Sequence, residues 1–465
     1  EELPVGRDLW TAWDDPGSTF GDRFTWLAQV AEAMQALHRM GVMLEAIRPD
    51  MVVVTEQGQA RITDLGDLLP LPLPADPPLR AGLYTAPELL NSPETSDARA
   101  NLYSFGAMLY ALHVGRELSE REFLSPGNPK PVFNDYPDLH PALGRLLLKT
   151  FNRQVEARFP TDEAVKEDAT GFTELIRTLH ICARIVDNVR LEVSAWTTTG
   201  MVRTGNEDAF AFLQSCESRQ EDVAESALLL LADGMGGYEA GEVAATLALQ
   251  ALRKNLLSQK QFAALAGGNG FAAELPNPEG NALVQMEIEE IKRLIKAALK
   301  EANKHVFTAS RSGVGKRGMG CTAEVVYVNG RHLVVGHVGD SRTYHLSEGR
   351  FIQLTRDQTL VNRLVELGTL SEEEAETHPR RNELQQAVGG QPDVEPGIYH
   401  AVLKPGDYII VCSDGLSNHV KNIQFRQFLH GDDAVSAERA ARRLVNLANI
   451  EGATDNATVV VVRAM

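Results

Sequence analysis

Cysteine is scarce in this chain. The four present (Cys182, Cys216, Cys321 and Cys412) are scattered without a CxxC pair. That argues against a disulfide-stapled scaffold and against a structural zinc site, and fits reduced thiols. Long apolar runs are missing: none approaches the roughly 20 residues that span a bilayer. A signal-like leader is also missing, so a cytoplasmic protein without a membrane partner is expected. Glu1 stands where an initiator Met would, which leaves room for residues upstream. Positive charge is in deficit, with 45 Lys and Arg against 63 Asp and Glu and a net charge of -18. Such a surface repels phosphate backbones and anionic lipid, so no nucleic-acid partner is expected. What remains is a globular composition, 43% apolar and 23% charged. At 465 residues it exceeds one ordinary core, so two or three domains are expected.

The most informative stretch is Leu231-Ala232-Asp233-Gly234-Met235-Gly236-Gly237. The short apolar run Ala227 to Ala232 reads as a buried strand. It ends in an aspartate and then in glycines, which permit a sharp turn. A carboxylate at such a turn, with a neighbouring backbone carbonyl, is one half of an oxygen-lined metal site. Candidates for the other half are Asp208, Asp340, Asp414 and Asp455.

Around that stretch, strands are expected at 191–198, 209–213, 321–328, 332–338, 341–346, 350–354, 408–413 and 457–463. Helices are expected at 241–257, 285–307, 360–367 and 371–376, and a Gly/Pro/Asn-rich loop at 267–280. Asn329-Gly330 and Glu348-Gly349 mark hairpins. Hairpin-connected strands with paired helices argue an antiparallel α+β domain. Upstream, Leu27, Val30, Ala31, Met34 and Leu37 repeat at helical spacing within 24–40, and 102–114 is a second apolar helix. Strands at 51–54 and 60–63 flank a Glu56-Gln57-Gly58 turn, and a proline-rich loop runs from Pro70 to Pro78. Thr161 caps an expected helix with an acidic first turn, followed by an apolar pattern from Phe172 to Ile181. That stretch either stiffens a link between domains or completes the first one.

The first part resembles the C-terminal lobe of a protein kinase. Leu44-Glu45-Ala46-Ile47-Arg48-Pro49-Asp50-Met51 sits where that family has its catalytic loop, and Asp64-Leu65-Gly66 looks like its DFG. Ala86-Pro87-Glu88 looks like its APE, Tyr103-Ser104-Phe105-Gly106 lies in the following helix, and Arg158 matches the arginine that pairs with the APE glutamate. The resemblance places the family's catalytic aspartate at Ala46 and its metal-binding asparagine at Met51. The first has no oxygen to accept a proton and the second no affinity for Mg²⁺. Asp64 survives alone and reads more simply as a turn residue. Residues 1–160 are therefore expected to be a partial pseudokinase, 161–190 a helical junction, and 191–465 a second domain.

That second domain resembles the metal-dependent protein phosphatases of the PP2C type. The pieces are Arg203 with Asn206-Glu207-Asp208, Asp233 to Gly237, Gly318-Met319-Gly320-Cys321-Thr322, Gly339-Asp340-Ser341-Arg342, Leu354-Thr355-Arg356-Asp357, Ser413-Asp414-Gly415-Leu416, and Asp455-Asn456-Ala457-Thr458. The resemblance implies a β-sandwich with helices on both outer faces. It implies hydrolysis of phosphoserine and phosphothreonine in proteins by a water activated between two Mg²⁺ or Mn²⁺ ions about 3.5–4 Å apart. By the family pattern Asp233 bridges the ions and the Gly234 carbonyl serves the first. Asp208, Asp414 and Asp455 complete the second, with Glu207 as alternative to its neighbour. Asp340 holds a third, weaker ion, and Arg203 clamps the phosphate, since guanidinium matches two phosphate oxygens. Met235 stands where some members carry a histidine, as in many bacterial ones. His378 falls in a flap over the cleft. Joined to such a phosphatase, a dead kinase-like lobe would regulate it, form a homodimer, or recruit substrate. The competing reading is a non-enzymatic signalling scaffold, against which the full set of aspartates speaks.

Overall fold

The computed structural model describes residues 5–15, 17–120, 141–159, 171–185, 189–219, 222–236, 240–266, 280–312, 318–429 and 435–465. The chain divides into two compact units, Glu1–Asp187 and Asn188–Met465. The expected Thr161 cap, most of the 267–280 loop and Gly237 lie outside the described residues.

In the first unit, helices α1 (Leu9–Asp14), α2 (Phe20–Arg39), α3 (Pro87–Asn91), α4 (Ala100–Val114), α5 (Pro141–Thr150) and α6 (Phe172–Ile185) surround strands β1 (Gly6–Asp8), β2 (Val42–Leu44), β3 (Val52–Thr55), β4 (Ala60–Ile62) and β5 (Leu68–Pro70). The strands form two small sheets, β1-β3-β4 and β2-β5. Helix α2 begins four residues before the expected Phe24. There Thr19 and Asp22 form a reciprocal capping box that satisfies two otherwise unpaired amide donors. Every residue of α4 from Ala100 to Leu112 is buried, so it is apolar all round and shows no amphipathic stripe. Helix α6, in the stretch left open between linker and lobe, packs on α2. Gln35 Nε2 donates to Thr173 Oγ1 at 3.0 Å, and His38 meets Phe172 edge to face at 4.8 Å.

In the second unit, the strands are β6 (Leu191–Thr198), β7 (Asp208–Arg219), β8 (Asp222–Met235), β9 (Gly320–Cys321), β10 (Ala323–Asn329), β11 (His332–Val338), β12 (Arg342–Ser347), β13 (Arg350–Gln353), β14 (Gly397–Val402), β15 (Tyr408–Cys412) and β16 (Ala457–Ala464). The helices are α7 (Ala240–Leu257), α8 (Gly280–Ala309), α9 (Leu360–Glu366), α10 (Glu372–Thr377), α11 (Asp414–Ser417), α12 (Asn422–Leu429) and α13 (Ala437–Ile450). One sheet runs β14-β11-β10-β8-β7, with β9 also on β8. The other runs β13-β12-β15-β16-β6, and all these pairings are antiparallel.

Successive side chains of a strand point to opposite faces, and β8 divides its residues accordingly. Leu228, Leu230 and Ala232 join the core beneath α7 and α8, whereas Ala227, Leu229 and Leu231 join residues of β15 and β16 between the sheets. The continuous apolar run is thus a strand buried on both faces. A third core lies between the second sheet and α11 to α13. The result is a β-sandwich flanked by helices on both faces, as the resemblance implied.

Two expectations need correction. Strand β8 does not end at Asp233; it continues to Met235 because β9 pairs Gly234 with Cys321 and Met235 with Gly320. The turn falls later, at Gly236, whose φ of +120° suits glycine alone. Elements β14, α12 and α13 were not foreseen. The buried stripe of α13 is mostly alanine (Ala437, Ala440, Ala441, Ala448), a weak apolar signal between arginines.

Candidate metal centre and active site

The five aspartates named from sequence come together at one end of the sandwich. Asp208 opens β7 and Asp233 lies near the end of β8, and the register places them directly opposite one another. Asp340 follows β11, Asp414 begins α11 after β15, and Asp455 precedes β16. The charges of the other four all bear on Asp233. All five aspartates are half-buried residues. That is the position of residues on the floor of a cleft.

The electrostatics follow. Loss of hydration first, then repulsion by Asp414 and Asp455, pushes Asp208 up to about 7. Loss of hydration and the charges of Asp414 and Asp357 push Asp340 up to about 7 as well. Enclosure and the other four carboxylates hold Asp233 well above the usual carboxylate range. Asp414 is raised by enclosure and by Asp455, partly offset by a hydrogen bond with Asp233. Carboxylates this close cannot all ionise unless cations neutralise them.

Buried hydroxyls and amides fix the set. Asp208 Oδ2 accepts from Ser413 Oγ at 2.8 Å and from Thr458 Oγ1 at 2.6 Å. Its Oδ1 is buried with no hydrogen-bond partner. One oxygen is thus held by the second sheet and the other is left for a ligand. The Asp233 amide donates to Thr322 Oγ1 at 2.9 Å, and Thr322 Oγ1 lies 2.7 Å from Ser341 Oγ. Asn456 Oδ1 accepts from the Glu207 amide, and its Nδ2 donates to the carbonyls of Thr199 and Gly205. Asn206 Oδ1 accepts from the Asp208 amide at 3.1 Å. A Cβ on Gly234 would stand 2.3 Å from the Gly241 carbonyl oxygen and 2.7 Å from that of Glu207, so only glycine lets these backbones meet. Arg203 Nη2 donates to Asp455 Oδ2 at 2.7 Å. Glu207 is buried, with Oε1 unpartnered.

This donor set fits a hard divalent cation. Among the described residues, no three His, Cys, Asp or Glu side chains form a group that could hold an ion by themselves. Mg²⁺ takes oxygen ligands, usually one or two carboxylates together with several waters. The unpartnered Asp208 Oδ1 and the raised aspartates supply the unsatisfied negative character such an ion needs.

Residues 202–449 match the protein phosphatase 2C family model. The chain belongs to that family. PP2C phosphatases use metal ions. Residues 18–168 match the protein kinase domain, so the first unit is kinase-like. Among relatives, the chain is 30% identical over 275 residues to protein phosphatase PhpP of Streptococcus pneumoniae, which covers 58% of this chain and 97% of that protein. It is 32% identical over 271 residues to serine/threonine protein phosphatase PstP of Mycobacterium tuberculosis, covering 58% of this chain and 44% of the other. A solved serine/threonine phosphatase of S. agalactiae is similar at 31% identity and TM-score 0.49, over 59% of this chain and all of that one.

Ala46, Met51 and Asp64 lie in the first unit. Ala46 and Met51 are buried apolar side chains, Met51 in a short 3-10 turn. Asp64 is exposed and accepts from the Gly66 amide at 2.8 Å, an Asx turn. The expected Glu88–Arg158 pair is present: Arg158, fully enclosed, donates Nη2 to Glu88 Oε2 at 2.9 Å and Nη1 to Oε1. His378 Nδ1 accepts from the Arg380 amide at 3.1 Å, a local turn contact.

Sequence reasoning missed the supporting groups. Ser413, Thr322, Asn456 and Thr458 were visible inside the motifs but had no assigned work. The buried pair Glu324–His337, with Thr343 Oγ1 donating to Glu324 Oε2 at 2.7 Å, gave no signal beyond two polar residues in apolar strands.

Proposed function

We propose that this chain hydrolyses phosphoserine and phosphothreonine in proteins, with two Mg²⁺ or Mn²⁺ ions at Asp208, Asp233, Gly234, Asp414 and Asp455 and a third, weaker one at Asp340. The observation that carries this reading is the convergence of five aspartates, whose shared negative charge divalent cations would neutralise. Bound there, the ions supply a water acidic enough to attack phosphorus near neutral pH. The protein's own groups do the rest. Ser413 and Thr458 hold Asp208 by Oδ2, leaving the buried Oδ1 without a hydrogen-bond partner. Thr322 fixes the backbone of Asp233. Arg203, whose Nη2 donates to Asp455, is read as the phosphate clamp, since a guanidinium matches two phosphate oxygens. Incubation of the full chain with Mn²⁺ and a phosphothreonine peptide tests the reading. Asp233→Asn should lower turnover by three orders of magnitude or more with the fold intact by circular dichroism. Unchanged turnover would remove the proposal.

The kinase-like unit is read as unable to transfer phosphate, because Ala46 cannot accept a proton and Met51 cannot bind Mg²⁺. Its role is regulation, dimerisation or recruitment, with residues 1–160 as that domain, 191–465 as the phosphatase, and 161–190 as a junction whose helix α6 docks on the first unit. Comparing the full chain with residues 190–465 for phosphopeptide turnover, metal dependence and mass in solution tests this. Equality in all three would leave the first unit without such a role.

A further inference from the structure

The edge of the first sheet holds two histidines that phosphate hydrolysis leaves unused. His332 opens β11 and His400 lies in β14, the edge strand. The register pairs His332 with Val402 and Val334 with His400, so the two imidazoles are diagonal neighbours on one face. Nδ1 of His332 and Nε2 of His400 are 3.3 Å apart, with the ring planes 15° apart. Two nitrogens bound to one tetrahedral zinc at about 2.0–2.1 Å each lie about 3.3–3.4 Å from one another, so the spacing is already that of a chelate.

The surroundings favour neutral rings. Loss of hydration first, then His400 and Arg331, lowers the pKa of His332. Loss of hydration and Lys292 of α8 lower that of His400, against a smaller opposing effect of Glu289. Neutral imidazole is the form that binds a metal. Glu289, whose charge opposes that fall at His400, is exposed and paired with Lys292 Nζ at 2.7 Å.

We propose that His332 and His400 form a two-nitrogen site for a borderline divalent metal of the zinc class, with water completing its shell. On binding, the ring that donates in the His332–His400 hydrogen bond shifts that one hydrogen to its own outer nitrogen, while the accepting ring already carries its hydrogen outward, so that Nδ1 of His332 and Nε2 of His400 both present lone pairs. Each ring swings by roughly 35° so that both lone pairs converge. No proton is released. The site is separate from the aspartate cluster: His332 opens β11 and Asp340 follows its far end at Val338, and the strand between spans roughly 20 Å at about 3.4 Å per residue. Because β14 pairs only with β11, a metal held here fastens the edge strand to the sheet.

The test is a calorimetric titration of Zn²⁺ into the full chain saturated with Mg²⁺, so that a hard cation occupies the aspartates. One zinc site is expected in the wild type and in Asp233→Asn. That site is lost in both His332→Asn and His400→Gln, which are partly exposed positions and should leave the fold intact. Cu²⁺ in place of zinc should show two-nitrogen hyperfine structure by electron paramagnetic resonance, absent in either histidine variant. A zinc site that survives both histidine substitutions, or that disappears in Asp233→Asn, overturns the proposal, as does the absence of any zinc binding.

Discussion

At the scale of single residues, the cleft is built from groups that hold aspartates rather than from the aspartates alone. Ser413→Ala removes one of two hydroxyls on Asp208 Oδ2. Such supporting contacts typically matter by about 10–100-fold in metal affinity. Half-saturating Mn²⁺ in a phosphatase assay should rise by that factor, with turnover largely restored at high Mn²⁺. The raised aspartates also set a pH dependence. Without cations, Asp208 and Asp340 are pushed up to about 7 in the folded protein, against an ordinary carboxylate value of 3.8. The folded state therefore binds more protons than the unfolded state between those values. Their contribution to stability is full below about pH 4 and falls as pH rises through about 7. Metal-free protein should melt lower at about pH 8 than at about pH 5.5, and Mg²⁺ should narrow the gap by taking over from the protons; differential scanning calorimetry reads both. The acidic ligands were legible in the sequence because each sits in a distinctive motif. Their hydroxyl supports were not, since Ser and Thr become informative only when a fold puts them beside a carboxylate.

At the scale of elements, Glu324 of β10 and His337 of β11 form a fully enclosed ion pair inside the first sheet. Replacing His337 by alanine leaves a buried carboxylate without its partner. Breaking such a pair commonly costs about 3–5 kcal/mol. Urea unfolding of His337→Ala should show a loss of that order, and the double variant Glu324→Leu, His337→Leu should lose much less. Strands with uniform burial were read correctly from their apolar runs: β10 and β15 are buried on both sides. Strand β14 escaped because its residues are only half-buried and mix Gly, Tyr and His, which resembles a loop. Pattern reading follows contrast in polarity, and an edge strand or an alanine-lined helix such as α13 offers little of it.

At the scale of the whole molecule, two compact units sit on one chain, each with its own core. Two cores permit two unfolding transitions. Adding Mn²⁺ should raise the transition of the unit that holds the aspartates and leave that of the kinase-like unit in place, since a ligand stabilises only the state it binds. Calorimetry of the full chain, with and without chelator, checks this. One last consequence starts from Asp208 and Asp233 facing each other across β7 and β8. Like charges set directly opposite on adjacent strands weaken that pairing. Stripping the cations with EDTA should therefore loosen the rim of the sheet first. A protease added at that moment would find its earliest cuts near the ends of these two strands, while the alanine- and leucine-filled middle stays closed.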